Sequence, residues 1–139
     1  MIVVDSSTVL AILFREPSSA ELRVRLAADP ERVLSVASYL EAGTVLAGRR
    51  RSDRLRAIAD LDAFLAEAGI RLVPVETAHA AIALQARIVH GRGMGHGGRL
   101  NFGDAFSYAL AKSLDAPLLF VGDDFTKTDV RSAMDAEAS

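Results

Sequence analysis

The chain has 139 residues and a formal net charge of −2, half of its residues are apolar, and it contains no cysteine. This length suits one domain over residues 1–139, and the lack of cysteine excludes a disulfide framework and a thiolate zinc site. No apolar run reaches the length of a membrane span and no signal peptide is recognisable, so we expect a cytoplasmic protein with no membrane partner.

Short apolar runs alternate with helical patterns along the chain. The runs are continuous, as in strands that are buried on both faces, and the helical patterns start at capping residues and stop at proline or glycine. In chain order we predict a strand over 2–4, a helix from Ser6 or Ser7 to Pro17, a helix from Ser18 to Asp29, a strand over 33–36, a helix from Ser38 towards Gly48, a helix from Asp53 to Gly69, a strand over 70–75 and a helix from Thr77 to about His90.

The last third of the chain begins with a glycine-rich segment, residues 91–99, which predicts a loop. Asn101 is expected to cap a helix that ends before Pro117. A strand over 118–121 and a short helix from Val130 to about Ala136 follow. Strands that alternate with helices predict a three-layer α/β/α domain with a central parallel sheet of four or five strands.

Four acidic residues, Asp5, Glu41, Asp104 and Asp124, follow predicted strands or lie in the first turn of predicted helices. Sites in parallel sheets form outside the carboxyl ends of the strands, so we expect these carboxylates to gather at one edge. Taken singly, each acid also fits a structural role. Asp5, Glu41 and Asp104 suit helix capping, and Asp124 suits an exposed turn.

A cluster of carboxylates favours a hard divalent cation such as Mg²⁺ or Mn²⁺. Carboxylates at close range raise one another's pKa, and a bound cation with oxygen ligands removes that penalty. The three histidines, His79, His90 and His96, do not have the spacing of zinc ligands. Because a metal held by carboxylates polarises phosphoryl groups and acidifies bound water, the pattern indicates hydrolysis of a phosphodiester.

The four acids lie in four short segments, Val3–Thr8, Ala37–Glu41, Leu100–Phe106 and Leu119–Phe125. These segments resemble the PIN domain and, more narrowly, the VapC-type toxin ribonucleases. The resemblance covers nearly the whole chain in order. It implies a Mg²⁺- or Mn²⁺-dependent endoribonuclease that cuts structured RNA, often transfer or ribosomal RNA. It also implies a homodimer and a cognate VapB-type antitoxin that blocks the site.

The resemblance also assigns roles to the acids. Asp5, Glu41 and Asp104 match the catalytic, metal-binding acids of the family. Asp5 and Asp104 are expected to bind the metal directly, and Glu41 to bind it through water or to position the attacking water. The fourth acid is Asp123 or Asp124, and we favour Asp124, which directly precedes a phenylalanine.

Several polar residues are expected to support the acids or the substrate. Ser7 and Asn101 match residues that orient the acids, although helix capping explains them equally well. Arg92, His96 and Arg99 flank the helix of Asp104 and are candidates for RNA phosphate contacts, with a solvated loop as the alternative. The apolar side chains of the first two helices form either core or a groove for an antitoxin helix, and those of the fourth and fifth helices form either core or a dimer contact.

Two other classes of function remain open from the sequence. A phosphatase of the Asp-x-Asp type is disfavoured because Asp5 is followed by two serines, and a receiver domain would need its acceptor aspartate after the third strand, where the chain has Val75-Glu76. A non-catalytic RNA-binding or partner-binding relative is the remaining alternative. Formation of a phosphoenzyme would favour the first class, and RNA binding without cleavage would favour the second.

Overall fold

Pairs of helices separate consecutive strands along residues 1–135, which are the residues that this computed structural model describes. In chain order they are β1 (Ile2–Val4), α1 (Ser6–Leu13), α2 (Ser19–Ala27), β2 (Arg32–Ser35), α3 (Val36–Arg49), α4 (Arg54–Ala68), β3 (Ile70–Val73), α5 (Thr77–His90), α6 (Phe102–Leu114) and β4 (Leu118–Leu119).

The strands form one parallel sheet in the order β3-β2-β1-β4. The chain first adds β2 and β3 on one side of β1, then crosses to the other side and adds β4. Strand order therefore reverses at β1, and ligands of open α/β sheets bind outside the carboxyl ends of the strands at such a reversal. Asp5 directly follows β1 and lies at this position.

Apolar side chains are buried on both faces of the sheet, which confirms the predicted three layers. Ile2 and Val4 pack into a core with α1 to α4, whereas Val3 between them packs into a second core with α5 and α6. This division follows from the alternation of side chains along a strand. Helices cover both faces of the sheet, and strands that are covered on both faces have continuous apolar sequences. The continuous apolar runs therefore predicted these strands correctly.

Three helix boundaries, two in α4 and one in α3, show which residues cap the helices. Asp53 accepts a hydrogen bond from the backbone N–H of Arg56, and Gly69 ends α4 in the left-handed conformation with φ of 65°, both as predicted. The prediction for α3 was wrong. The helix begins at Val36, because Ser35 at the end of β2 accepts from the N–H of Ala37.

The predicted helix from Val130 to Ala136 is also wrong for residues 130–135, and Ala136 lies outside the described residues. Instead, Ser132 forms an isolated parallel bridge with Leu118 of β4. The N–H of Leu118 donates to Arg131 O at 2.8 Å, and the N–H of Ala133 donates to Leu118 O at 2.8 Å. Because β4 is an edge strand, its free backbone groups need partners, and this demand outweighs a weak helical pattern.

The apolar side chains of α1 and α2 divide between the core and the surface. Val9, Leu22 and Leu26 are buried, while Leu10, Leu13 and Phe14 pack against the core and stay partly exposed. The core assignment therefore holds for the three buried residues, and the antitoxin groove between these helices stays a prediction. None of the helices within residues 1–135 combines the length and apolar character needed to cross a bilayer.

Candidate active site

The structure brings together the four acids that the sequence singles out. Asp5 follows β1, Glu41 lies in the second turn of α3, Asp104 lies in the first turn of α6, and Asp124 lies in the loop after β4. Asp5 and Asp104 are buried, with 1% and 6% of their surface exposed, while Glu41 and Asp124 are partly exposed. Their charges act on one another: those of Asp5 and Asp124 affect both Glu41 and Asp104.

Serine donors surround the Asp5 carboxylate. Its Oδ2 accepts from the backbone N–H of Ser7 at 3.0 Å and from the Ser7 hydroxyl at 2.6 Å, and its Oδ1 accepts from the Ser107 hydroxyl at 2.6 Å. The Ser7 oxygen also accepts from the N–H of Val121 at 3.0 Å, which ties α1 to the chain after β4. Asp5 thus caps α1 and at the same time lies at the centre of the acidic cluster.

Glu41 has no capping role, because α3 begins five residues before it. Its carboxylate accepts a hydrogen bond of 2.6 Å from the Ser6 hydroxyl. Burial raises the pKa of Glu41, and the charges of Asp5 and Asp124 raise it further, although the Ser6 hydrogen bond opposes them. A Cβ atom at residue 103 would lie 2.1 Å from Glu41 Oε2, so glycine at this position leaves the space that the carboxylate fills.

Asp104 is held by the start of its own helix. Its carboxylate accepts from the backbone N–H of Asn101 at 3.0 Å, and the Asn101 side chain accepts from the N–H of Asp104 at 2.8 Å. Burial raises the pKa of Asp104 to about 8, the charges of Asp5 and Asp124 and a hydrogen bond with Asp124 add to this, and the Asn101 hydrogen bond opposes it. The same pair of hydrogen bonds between Asn101 and Asp104 therefore caps α6 and orients the Asp104 carboxyl group.

Asp124, rather than its neighbour Asp123, faces the other acids. It acts on Asp104 and Glu41, whereas Asp123 is exposed. Asp124 also forms an ion pair of 3.7 Å with Arg92, and both side chains are substantially exposed, at 37% and 65%. An exposed pair of this kind contributes little to stability, so Arg92 is free to exchange one anionic partner for another.

The glycine-rich segment forms the predicted loop beside the acids. A bridge between Gly91 and Leu100 closes it, and three of its glycines adopt positive φ angles, of 70° to 85°. His96 and Arg99 are exposed on this loop. The structure therefore places Arg92 against the acidic cluster and presents the other two predicted RNA contacts to solvent.

Three serines at the site are absent from the predicted site residues. Ser6 contacts Glu41, Ser107 contacts Asp5, and Ser38 lies 3.0 Å from Ser107. A signal for two of them was present: Ser38 precedes Glu41 by three residues and Ser107 follows Asp104 by three, so each lies one helical turn from an acid. Nothing in the local sequence shows that Ser107 contacts Asp5 or that Ser38 contacts Ser107.

The donor set suits a hard divalent cation by its chemistry. It consists of carboxylate and hydroxyl oxygens, and the raised pKa values of Glu41 and Asp104 are the penalty that a cation would remove. Among residues 1–135, no three acidic or histidine side chains are grouped so that they could hold a metal ion as placed. The carboxylates interact through their charges, and serine and backbone donors occupy several of their oxygens.

Comparison with known proteins identifies relatives along the whole chain. Residues 2–131 match the family model described as the PIN domain. Ribonuclease VapC42 of Mycobacterium tuberculosis is 40% identical over 131 residues, which are 94% of this chain and 98% of that protein. Ribonuclease VapC28 of the same organism is 44% identical over 133 residues, covering 96% and 98%.

A solved structure shares the fold at low sequence identity. The crystal structure of Mycobacterium tuberculosis VapC20, described as a toxin that cleaves the sarcin-ricin loop, aligns with a TM-score of 0.73 at 19% identity. The alignment covers 94% of this chain and 96% of VapC20.

The first prediction concerns the cost of ionising Asp104. In the unfolded chain this carboxyl has an ordinary pKa near 3.8, and in the folded protein it has a pKa of about 8. Between these values the folded state binds more protons, so stability falls as pH rises from about 4 to 8. We expect Asp104→Asn to remove this dependence and to raise the Tm at pH 8 in EDTA by about 3 °C or more.

Thermal melts from pH 4 to pH 9 test this, with the exposed Glu16→Gln as the control for loss of one negative charge. The Tm difference between Asp104→Asn and wild type should grow with pH, while Glu16→Gln should follow wild type. A lower Tm for Asp104→Asn at pH 8 would show that the carboxylate is a structural requirement.

The second prediction concerns the space at Gly103. A methyl group there would displace the end of the flexible Glu41 side chain and break its contact with Ser6. Burial is the largest cause of the raised Glu41 pKa and outweighs the opposing Ser6 hydrogen bond, so moving the carboxylate into solvent should lower the pKa. We therefore expect Gly103→Ala to fold normally and to shift the Glu41 pKa, followed by carboxyl NMR, down towards its ordinary range. In Gly48→Ala, where no atom lies within 4 Å of the added Cβ, the Glu41 pKa should be unchanged. A Glu41 pKa in Gly103→Ala equal to that of the wild type would contradict the close approach of residue 103 to the Glu41 carboxylate.

Proposed function

Because this chain belongs to the PIN domain family and is closely related to the VapC ribonucleases, we propose that it is the endoribonuclease toxin of a VapBC-type toxin–antitoxin pair. The observation that carries the proposal is the meeting of four acids from four elements at the point where strand order reverses. We propose further that residues 1–139 act as one domain in the cytoplasm, where RNA substrates are found. The family assignment leaves the phosphatase and receiver alternatives without support.

We propose Mg²⁺ or Mn²⁺ as the cofactor, with Asp5, Glu41, Asp104 and Asp124 as the residues that would hold it. A bound cation of this kind polarises a phosphoryl oxygen and lowers the pKa of a water molecule. The support for it is the all-oxygen donor set and the raised pKa of two of the acids.

The acids then differ in what they do. Asp5 is fixed by serine donors and Asp104 by a backbone N–H, so each keeps one orientation. Glu41 is more exposed, and its raised pKa brings it closer to the working pH. A carboxylate of this kind suits the acceptance of a proton from the attacking water, so we assign Glu41 to the positioning and deprotonation of that water.

RNA binding is assigned to the loop that follows α5. Arg92, His96 and Arg99 are exposed on this loop, and Arg92 pairs with Asp124, so the three can meet the phosphates that the acidic cluster would otherwise repel. Arg92 is the strongest candidate, because a phosphate can replace Asp124 as its partner. Transfer or ribosomal RNA is the substrate class that we propose.

Two partners follow from the toxin assignment, a VapB-type antitoxin and a second copy of the chain. Exposed apolar side chains support both. Leu40 is 69% exposed in a groove between α3 and α4, beside the helix turn of Glu41. Leu84 and Phe102 are 64% and 73% exposed in a second groove, between α5 and α6. An apolar groove between two helices suits the apolar face of a partner's helix.

The third prediction tests the site by cleavage. Purified protein should cut total RNA with Mn²⁺ or Mg²⁺, EDTA should stop the reaction, and added metal should restore it. Asp5→Asn and Asp124→Asn should each lower the rate more than about 100-fold, because each removes a proposed ligand. Mapping of the RNA ends identifies the bond that is cut.

Asp123→Asn is the matched control, because Asp123 is the exposed neighbour of Asp124. It should cleave at the wild-type rate. Full activity in Asp5→Asn would reject the site, and loss of activity in Asp123→Asn alone would move the fourth role to Asp123. RNA binding without cleavage under either metal would favour the non-catalytic alternative.

The fourth prediction concerns the loop arginines. Arg92→Ala and Arg99→Ala should each weaken RNA binding and lower the slope of log K against log salt concentration by about one, because each removes one phosphate contact. Arg71→Ala, on the strand at the far edge of the sheet, is the control and should leave the slope unchanged. Equal slopes for all three variants and the wild type would place the RNA elsewhere.

A further inference from the structure

A pair of buried hydroxyls extends the acidic site into the core. Ser107 Oγ of α6 lies 2.6 Å from Asp5 Oδ1 and 3.0 Å from Ser38 Oγ of α3. Ser107 has no exposed surface and Ser38 has 1%. Solvent therefore does not compete for these contacts, which join the end of β1 to helices from both layers.

The direction of the hydrogen bonds follows from the chemistry of the groups. An ionised carboxylate only accepts, so the single hydroxyl proton of Ser107 is donated to Asp5. The Ser107 oxygen is then left as an acceptor, and Ser38 must be the donor to it. Ser38 therefore donates to Ser107, and Ser107 donates to the Asp5 carboxylate.

Packing alone does not explain a serine at position 107. The neighbouring buried small residues of α6 are alanines, at positions 105, 109 and 111. An alanine at 107 would fill nearly the same space without a polar group that needs a partner. The Ser107 hydroxyl forms hydrogen bonds with the Asp5 carboxylate and with Ser38. We therefore attribute the serine at position 107 to its hydrogen bond with Asp5.

We propose that Ser107 is a positioning residue for Asp5 and that Ser38 acts through Ser107. This inference rests on the proposed function. The two Asp5 oxygens have different donors, Ser7 on Oδ2 and Ser107 on Oδ1, and together these donors prevent rotation of the carboxylate. Loss of Ser107 frees one oxygen, so that Asp5 must be ordered again whenever it binds a divalent cation. Groups that orient metal ligands in this way typically change metal affinity or activity by about 10- to 100-fold.

The experiment measures Mn²⁺ affinity by calorimetry without RNA, and kcat and KM with RNA, on the full chain. Ser107→Ala should bind Mn²⁺ about 10-fold more weakly and lose at least about 10-fold in kcat, with KM for RNA unchanged. Ser38→Ala should show a smaller loss of Mn²⁺ affinity. The double variant should equal Ser107→Ala, because Ser38 has no route to Asp5 once Ser107 is gone.

Thr8→Val is the control for loss of a buried hydroxyl, since Thr8 donates to the Leu119 carbonyl and not to an acid. It should lower Tm and leave Mn²⁺ affinity unchanged. Wild-type affinity in Ser107→Ala, or fully additive losses in the double variant, would overturn the inference. Should Ser107→Ala not fold, wild-type affinity in folded Ser38→Ala would overturn it too. A wild-type protein that neither binds Mn²⁺ nor cleaves RNA overturns the proposed function itself.

Discussion

The burial of two carboxyl groups, Asp5 and Asp104, at the end of the central strand is the constraint on which the site depends. Neither group is well hydrated, and the charge of Asp5 adds to the cost of ionising Asp104 and Glu41. The chain offsets part of this cost with local donors: hydroxyls for Asp5 and a backbone N–H for Asp104. The part of this cost that the donors do not offset raises the pKa of Asp104 to about 8. Because this electrostatic cost remains in the folded protein, a bound divalent cation can stabilise the site.

The fold brings the acids together from distant parts of the chain. Strand order reverses at β1, so the residue after β1 faces the crevice, and the loop after β4 lies next to it. The second turn of α3 and the first turn of α6 supply Glu41 and Asp104 from opposite layers of the domain. Gly103 lets these two layers approach, since any side chain there would collide with Glu41. The precision of the site therefore comes from helix starts and strand ends, which are rigid parts of the scaffold.

Much of this arrangement could be predicted from local patterns, and the failures share one cause. The acid after Ile2–Val4, the Asp53 and Gly69 caps and the Asn101–Asp104 capping box all depend on neighbours in sequence, and all were identifiable. The start of α3 was not, because Ser35 and Ser38 are both suitable caps, and the contact of Ser38 with Ser107 is 69 residues away. Ser132 pairs with Leu118 because the outer edge of β4 would otherwise have no partner, which no local pattern records.

A crystal structure of the protein soaked with Mn²⁺, with anomalous scattering to locate the metal, tests the central claim most directly. We expect Mn²⁺ between Asp5 and Asp104, with Glu41 and Asp124 turned towards it and the Ser7 and Ser107 contacts to Asp5 retained. Anomalous density elsewhere, with the four carboxylates still held only by serine and backbone donors, would contradict the account.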